Sequence, residues 1–189
     1  MMKKIITLAI ASIFTVSAIA QVRIGSIVVP DKVNFEGEEL IYNGGAMRRV
    51  LSFKTYTGTL YTKTQYTDDR KVLDSDETMA IRLNIASNKV TNERMIKVFK
   101  KGFDDAMFGN TQSLDARIED FLKLFDSSMQ INDFYDLVYL KGKGVKTYKN
   151  GKELGFIEGR DFKYALFKIW LGNEPACQII KGGMLGVGK

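Results

Sequence analysis

The spacing of apolar positions changes several times along the chain, and each change predicts a different kind of element. Val33 to Phe35 and Glu39 to Tyr42 alternate as short strands around the turn residues Glu36-Gly37-Glu38. Val50 to Thr62 is a long run rich in Val, Phe, Thr, Tyr and Leu, and Asn43-Gly44-Gly45 predicts a break before it. Thr64 to Thr78 is polar and Asp-rich, with room for one helical turn around Arg70 to Leu73. Met79 to Ile85 returns to strict alternation, apolar at 79, 81, 83 and 85, and predicts a strand.

The period then lengthens. Met95, Phe99, Phe103, Ala106 and Met107 recur at helical spacing, as do Leu114, Ile118, Phe121, Leu122 and Phe125. Gly109-Asn110 supplies the turn between them and Ser113 an N-cap for the second, so two amphipathic helices are expected side by side on a sheet. Strand spacing resumes at Phe134 to Leu140, Val145 to Lys149 and Glu153 to Ile157, with Asn150-Gly151 as a type I′ hairpin turn. A helix from Arg160 to Leu171 follows, stopped by Gly172. It is so uniformly apolar that it must be buried on two sides. A short last helix is expected from Pro175 to Gly182-Gly183. Strands, helices, strands and helices without strict alternation predict an α+β fold with a mainly antiparallel sheet.

The first twenty residues belong to a different grammar. Lys3 and Lys4 precede an apolar run from Ile5 to Ile19 that closes on Ala18-Ile19-Ala20. That order is a secretory signal peptide with cleavage after Ala20, and the run is too short for a comfortable membrane span. The expectation is a periplasmic or secreted protein, with a signal peptide over 1–20 and a single domain over 21–189. Without Lys3 and Lys4 the net charge falls from +6 to +4, 26 bases against 22 acids. Such a balance speaks little for nucleic acid but fits anionic ligands or association with an anionic membrane surface. The lysines at 141, 143, 146, 149 and 152 read as a solvated face on the hairpin that blocks aggregation.

Composition narrows the chemistry further. There is no histidine among 189 residues, which removes Ser-His-Asp and Cys-His catalysis and histidine metal sites. The lone cysteine, Cys177, can form neither an intrachain disulfide nor a thiolate zinc site, and reads as a buried apolar residue. Asp68, Asp69, Asp74, Asp76 and Glu77 match no calcium-loop spacing. Gly186-Val187-Gly188-Lys189 resembles a phosphate loop with no helix after it. No cofactor and no metal are expected. Chemistry must come from arginine, lysine, tyrosine, hydroxyls, carboxylates or backbone groups.

The segment Asn43-Gly44-Gly45-Ala46-Met47-Arg48-Arg49, followed by Phe53-Lys54-Thr55-Tyr56-Thr57-Gly58-Thr59-Leu60-Tyr61, resembles the chalcone isomerase family, and in particular its bacterial chalcone isomerase-like proteins. The order continues through Met79 to Leu83, Thr91 to Met95, Gly142 to Val145, Asn150 to Lys152, Ile157 to Gly159 and Ala165 to Gly172. The resemblance implies an open-faced β-sandwich, a large antiparallel sheet backed by helices with a ligand cleft between them. Members of this family divide into isomerases, which close a chalcone to a flavanone, and non-catalytic relatives that include fatty-acid-binding proteins. The family's arginine matches Arg48, while its active-site tyrosine falls at Thr91, its asparagine at Val98 and its helical threonine at Ile169. The guanidinium is kept and much of the hydrogen bonding to an enone is lost.

The reading that follows is a non-catalytic binder of a small amphipathic carboxylate such as a fatty acid. Its candidate ligand-binding residues are Arg48, Tyr56, Tyr61 and Thr91, with one cleft wall from the helix Phe162 to Leu171. Arg48 and Tyr56 share strand parity, yet eight residues of straight strand span about 26 Å, so they meet only if the chain bends near the glycines and Arg48. Tyr61 is the competing partner, and Arg49 should face the other way. On its own, Arg48 also reads as a surface arginine paired with a carboxylate. An isomerase of chalcone–flavanone type working through Arg48 on an unknown enone, and a protein-interaction module without a small ligand, are the two alternatives.

Overall fold

Asn34 to Glu39 shows how this chain builds its sheet. Glu36 (φ +52°) and Gly37 (φ +83°) both take the left-handed conformation that a two-residue hairpin needs, and Phe35 pairs with Glu38 across them. The computed structural model describes residues 21–51 and 53–187, so the expected signal peptide lies outside the described residues. A hairpin of β1 (Gln21–Ile24) and β2 (Ile27–Pro30) precedes a seven-stranded antiparallel meander. Its strands are β3 (Lys32–Phe35), β4 (Glu38–Val50), β5 (Phe53–Thr62), β6 (Met79–Ile85), β7 (Phe134–Leu140), β8 (Gly144–Lys149) and β9 (Lys152–Glu158), adjacent in sequence order. Asn150 (φ +51°) and Gly151 (φ +80°) turn β8 into β9 as the sequence predicts.

The helices are α1 (Asp69–Asp74), α2 (Asn92–Met107), α3 (Asp115–Lys123), α4 (Arg160–Leu171) and α5 (Gln178–Met184). Alternation in β6 and β7 sends Met79, Ile81, Leu83, Ile85, Tyr135, Leu137 and Tyr139 into one large core shared with these helices. The other sheet face carries a smaller cluster of Leu40, Tyr61, Ala80, Val138 and Leu140. The whole is the α+β, antiparallel, helix-backed sheet that the pattern predicts. Among the described residues no helix is long and apolar enough to cross a membrane.

Helix α4 occupies the predicted range and buries eight of its twelve residues, ending at Gly172. It lies between the sheet and α2, with Trp170 edge-on to Phe99 and Phe162 against Phe103. The expected side-by-side pair is looser than predicted: α2 packs chiefly on α4, while α3 rests on β9 and meets α2 through the Phe99–Phe121 contact. Ser113 does not cap α3; Leu114 stands at the N-cap position with no side-chain hydrogen bond and buries its apolar group instead.

Two strand boundaries also differ. Asn43-Gly44-Gly45 does not break the chain but lies inside β4, at a bulge between Tyr42 and Gly44. Gly44 is there because α5 crosses the strand: a Cβ on it would overlap the Gly183 carbonyl oxygen and lie 2.7 Å from that of Met184. Asn43 completes the contact by donating to the carbonyls of Met184 (2.7 Å) and Tyr66 (2.8 Å). Helix α5 accordingly starts at Gln178, not Pro175, and runs through Gly182-Gly183. The run from Val50 to Thr62 is instead interrupted by a tight reversal, with Leu51 at φ +54° and Val50 paired to Phe53. The hairpin lysines are not uniformly solvated either. Lys146 bridges Glu36 (2.9 Å) and Glu153 (3.3 Å), and Lys149 pairs with Asp133 (3.1 Å).

Candidate functional site: a cationic cleft between β4–β5 and α2

The reversal at Leu51 is what assembles the site. It folds β5 back along β4 so that Arg48 stands directly opposite Tyr56, two pairs deeper than Val50 and Phe53. The bend needed to bring Arg48 and Tyr56 together is therefore the hairpin itself, not the glycines upstream. The guanidinium carbon lies 5.7 Å from the centre of the Tyr56 ring, in cation–π range. Trp170 Nε1–H donates to the Tyr56 hydroxyl at 3.2 Å. The hydroxyl oxygen is thereby engaged, and its own proton has no acceptor among the described residues. Burial raises the Tyr56 pKa, opposed by the Trp170 hydrogen bond and the Arg48 charge, so the phenol keeps its proton at neutral pH.

A cleft of about 400 Å³ opens beside this pair, at the lower end of the range for small-molecule sites. Val50, Leu51, Phe53 and Tyr56 line it from the strands, and Val90, Met95 and Val98 from α2 and the loop before it. Its charged lining is wholly cationic: Arg48, Lys89, Arg94 and Lys97. None of the four forms an ion pair among the described residues, so the surface reading of Arg48, a guanidinium matched to a carboxylate, does not hold. Lys89 reaches over the Phe53 ring, 3.1 Å from its centre, and joins the two walls.

The other expected site residues lie elsewhere. Tyr61 is on the opposite face of β5, its hydroxyl donating to the Pro30 carbonyl at 2.9 Å and its ring beside the guanidinium of Arg82. Burial and its smaller cluster account for it. Thr91 is the N-cap of α2, its hydroxyl accepting from the Arg94 N–H at 3.3 Å at the edge of the mouth. Helix α4 does not wall the cleft as expected; it lies beneath, contributing Trp170 to hold Tyr56. Ile169 points the other way, toward Gly102 of α2. Lys89, Arg94 and Lys97 were invisible as site residues, because no local pattern says that the loop after β6 and the first turns of α2 meet the β4–β5 hairpin. The Asp-rich segment 68–77 spends its carboxylates on structure: Asp68 caps α1, Asp69 pairs with Lys181 and Asp76 accepts from Tyr139. Among the described residues no cluster of three metal-ligating side chains forms.

The comparisons with known proteins agree with this architecture. The crystal structure of a fatty-acid binding protein from Arabidopsis thaliana superposes with a TM-score of 0.70 at 15% identity, covering 88% of this chain and 96% of that one. At that identity the likeness shows the fold. No curated protein sequence matches the chain. The model of the family described as chalcone isomerase-like matches residues 21–186, most of the 189 residues, and the chain belongs to that family.

Proposed function

We propose that the cleft holds a small amphipathic carboxylate, such as a fatty acid, and that the protein is an exported, non-catalytic binder of it. The observation that carries this reading is the pairing of Arg48 with a protonated Tyr56 at the inner end of an apolar cleft without an acid in its lining. A guanidinium meets a carboxylate through two parallel hydrogen bonds, and the phenol supplies a further donor. Val90, Met95, Val98 and Phe53 give the tail an apolar surface. The named ligand class of the Arabidopsis neighbour is consistent with this reading.

Magnitudes say why the cation matters. Ten to twelve buried methylenes contribute on the order of 8–10 kcal/mol gross at about 0.8 kcal/mol each. Association and ordering cost roughly 4–15 kcal/mol, so the tail alone gives weak binding. A desolvated carboxylate without a cation would subtract from that. Replacing Arg48 by Ala should therefore raise the dissociation constant about tenfold or more, matching roughly 1.5–3 kcal/mol for a charged hydrogen bond. Arg49, exposed and outside the lining, should tolerate the same change with little effect. Titration with a fluorescent fatty acid tests this. Equal losses from Arg48→Ala and Arg49→Ala, or no saturable binding, would remove Arg48 as the anchor.

A further inference from the structure

The reversal that builds the cleft also leaves an unusual tip. Leu51 is 91% exposed, the most exposed large apolar side chain among the described residues, and its neighbours Val50 (45%) and Phe53 (49%) are half in solvent. Leu51 also sits at φ +54°, a conformation that glycine or asparagine adopts at lower cost than leucine. Both the backbone and the exposure argue against leucine here if the tip only ever meets water.

The charge around the tip is equally one-sided. Residues 46–51, 53–57 and 88–98 around it carry six bases (Arg48, Arg49, Lys54, Lys89, Arg94 and Lys97) against one acid, Glu93. None of the six is in an ion pair among the described residues. We propose that this tip docks on the surface of an anionic lipid bilayer, Val50, Leu51 and Phe53 entering the interface while the basic collar meets the head groups. Apolar side chains ringed by Lys and Arg bind such surfaces by buried area plus electrostatic attraction. A second copy of the chain fits less well, since joining two tips would bring twelve cations together.

The cleft mouth lies at the same tip, because Val50, Leu51 and Phe53 also line it. Docking would therefore turn the mouth toward the lipid, a route by which an amphiphile enters without crossing water. That delivery role rests on the ligand reading above; the docking itself does not.

Vesicle flotation decides it, using phosphatidylcholine vesicles with and without phosphatidylglycerol and the chain from Gln21 onward, which carries every described element. The protein should float with the anionic vesicles only, and high salt should weaken the binding. Leu51→Ser should weaken it about tenfold. Arg49→Glu combined with Lys54→Glu should weaken it at least tenfold, at about fivefold per charge. Neither of those two residues lines the cleft, so the double variant should still bind a fluorescent fatty acid in solution. Failure to float, or flotation unchanged by both tip variants, overturns the docking even if fatty acid binds. A dimer in solution that Leu51→Ser dissolves also overturns it, assigning the tip to a second copy. Flotation that responds to both tip variants without fatty-acid binding upholds the docking and sinks the ligand reading instead.

Discussion

Lys163 shows what one side chain can hold together. It is wholly buried on α4, and its ammonium donates to the carbonyls of Val72 (2.9 Å), Leu73 (2.8 Å) and Ser75 (2.9 Å), closing the C-terminal end of α1. The rings of Tyr139 and Phe167 lie 5.3 Å and 5.5 Å away. Burial, with Arg160 nearby, lowers its pKa to about 8, against the opposing pull of Asp74 and Asp76. The unfolded chain keeps this proton to higher pH, so stability should rise as pH passes from about 8 toward 10.5. Between pH 7.5 and 9.5 the gain should be about 2 kcal/mol, at ~1.4 kcal/mol per unit. Urea unfolding of the protein and of Lys163→Met at both pH values isolates it, since the variant lacks the titrating group. A difference between the two proteins that does not change with pH would mean that the three carbonyls hold the amine at its ordinary value. A second residue-scale expectation concerns chemistry. Val98 presents hydrocarbon to the cleft, Thr91 spends its hydroxyl capping α2 and Ile169 packs toward Gly102. With each missing oxyanion-type donor costing about 10²–10³ in rate, a standard hydroxychalcone should not be turned over above background. An Arg48-dependent rate in a spectrophotometric assay would overturn the non-catalytic reading.

At the scale of elements, the decisive contact is α5 against β4. Gly44 and Gly183, each in a glycine pair that looks like a breaker, mark a close crossing, while the adjacent Gly182 stands clear of it. Gly44→Ala would drive a methyl into the carbonyls of Gly183 and Met184, backbone atoms that cannot step aside, and should cost about 1–3 kcal/mol or more. Gly182→Ala meets nothing closer than the Val187 carbonyl at 3.7 Å, and in a helix interior it should be neutral or stabilising by up to about 1 kcal/mol. Chemical denaturation of the two variants checks both signs together. Loss from Gly182→Ala equal to that from Gly44→Ala would mean that the close approach at Gly44 is not what sets the need for glycine. The crossing matters to the site as well, since β4 carries Arg48 and α5 fixes the strand a few residues before it.

On the scale of the whole molecule, the sheet divides the protein into two unlike sides. One face is covered by helices and ends in the cationic cleft; the other holds a small cluster and the bidentate Arg82–Asp136 pair, at 2.6 Å and 2.9 Å. The proposed export rests on the apolar stretch of residues 1–20 read as a signal peptide. The protein isolated from the envelope or medium of cells that make it should therefore begin at Gln21, and N-terminal mass mapping that finds Met1 retained would contradict export.

The element boundaries that the sequence determined by itself are those where spacing and burial coincide. Met79–Ile85, Phe134–Leu140 and Arg160–Leu171 fall where the periodicity puts them, because each buries a full face and a shift of one residue would expose it. The Asn150-Gly151 turn is equally local, decided by which residues accept positive φ. Arg48 was legible through its family position, and Tyr56 only as one of two tyrosines of opposite parity. Tertiary structure decided the rest. Glycine pairs mean either a break or a close crossing, and only the arrival of α5 distinguishes them at Gly44. The choice of Tyr56 over Tyr61 followed from the reversal at Leu51, where an apolar tip carries no turn signature of its own. The basic wall from Lys89 to Lys97 faces Arg48 because β6 pairs with β5 and ends at Ile85 opposite Tyr56, which starts the loop and α2 beside the β4–β5 hairpin, a contact between segments some forty residues apart.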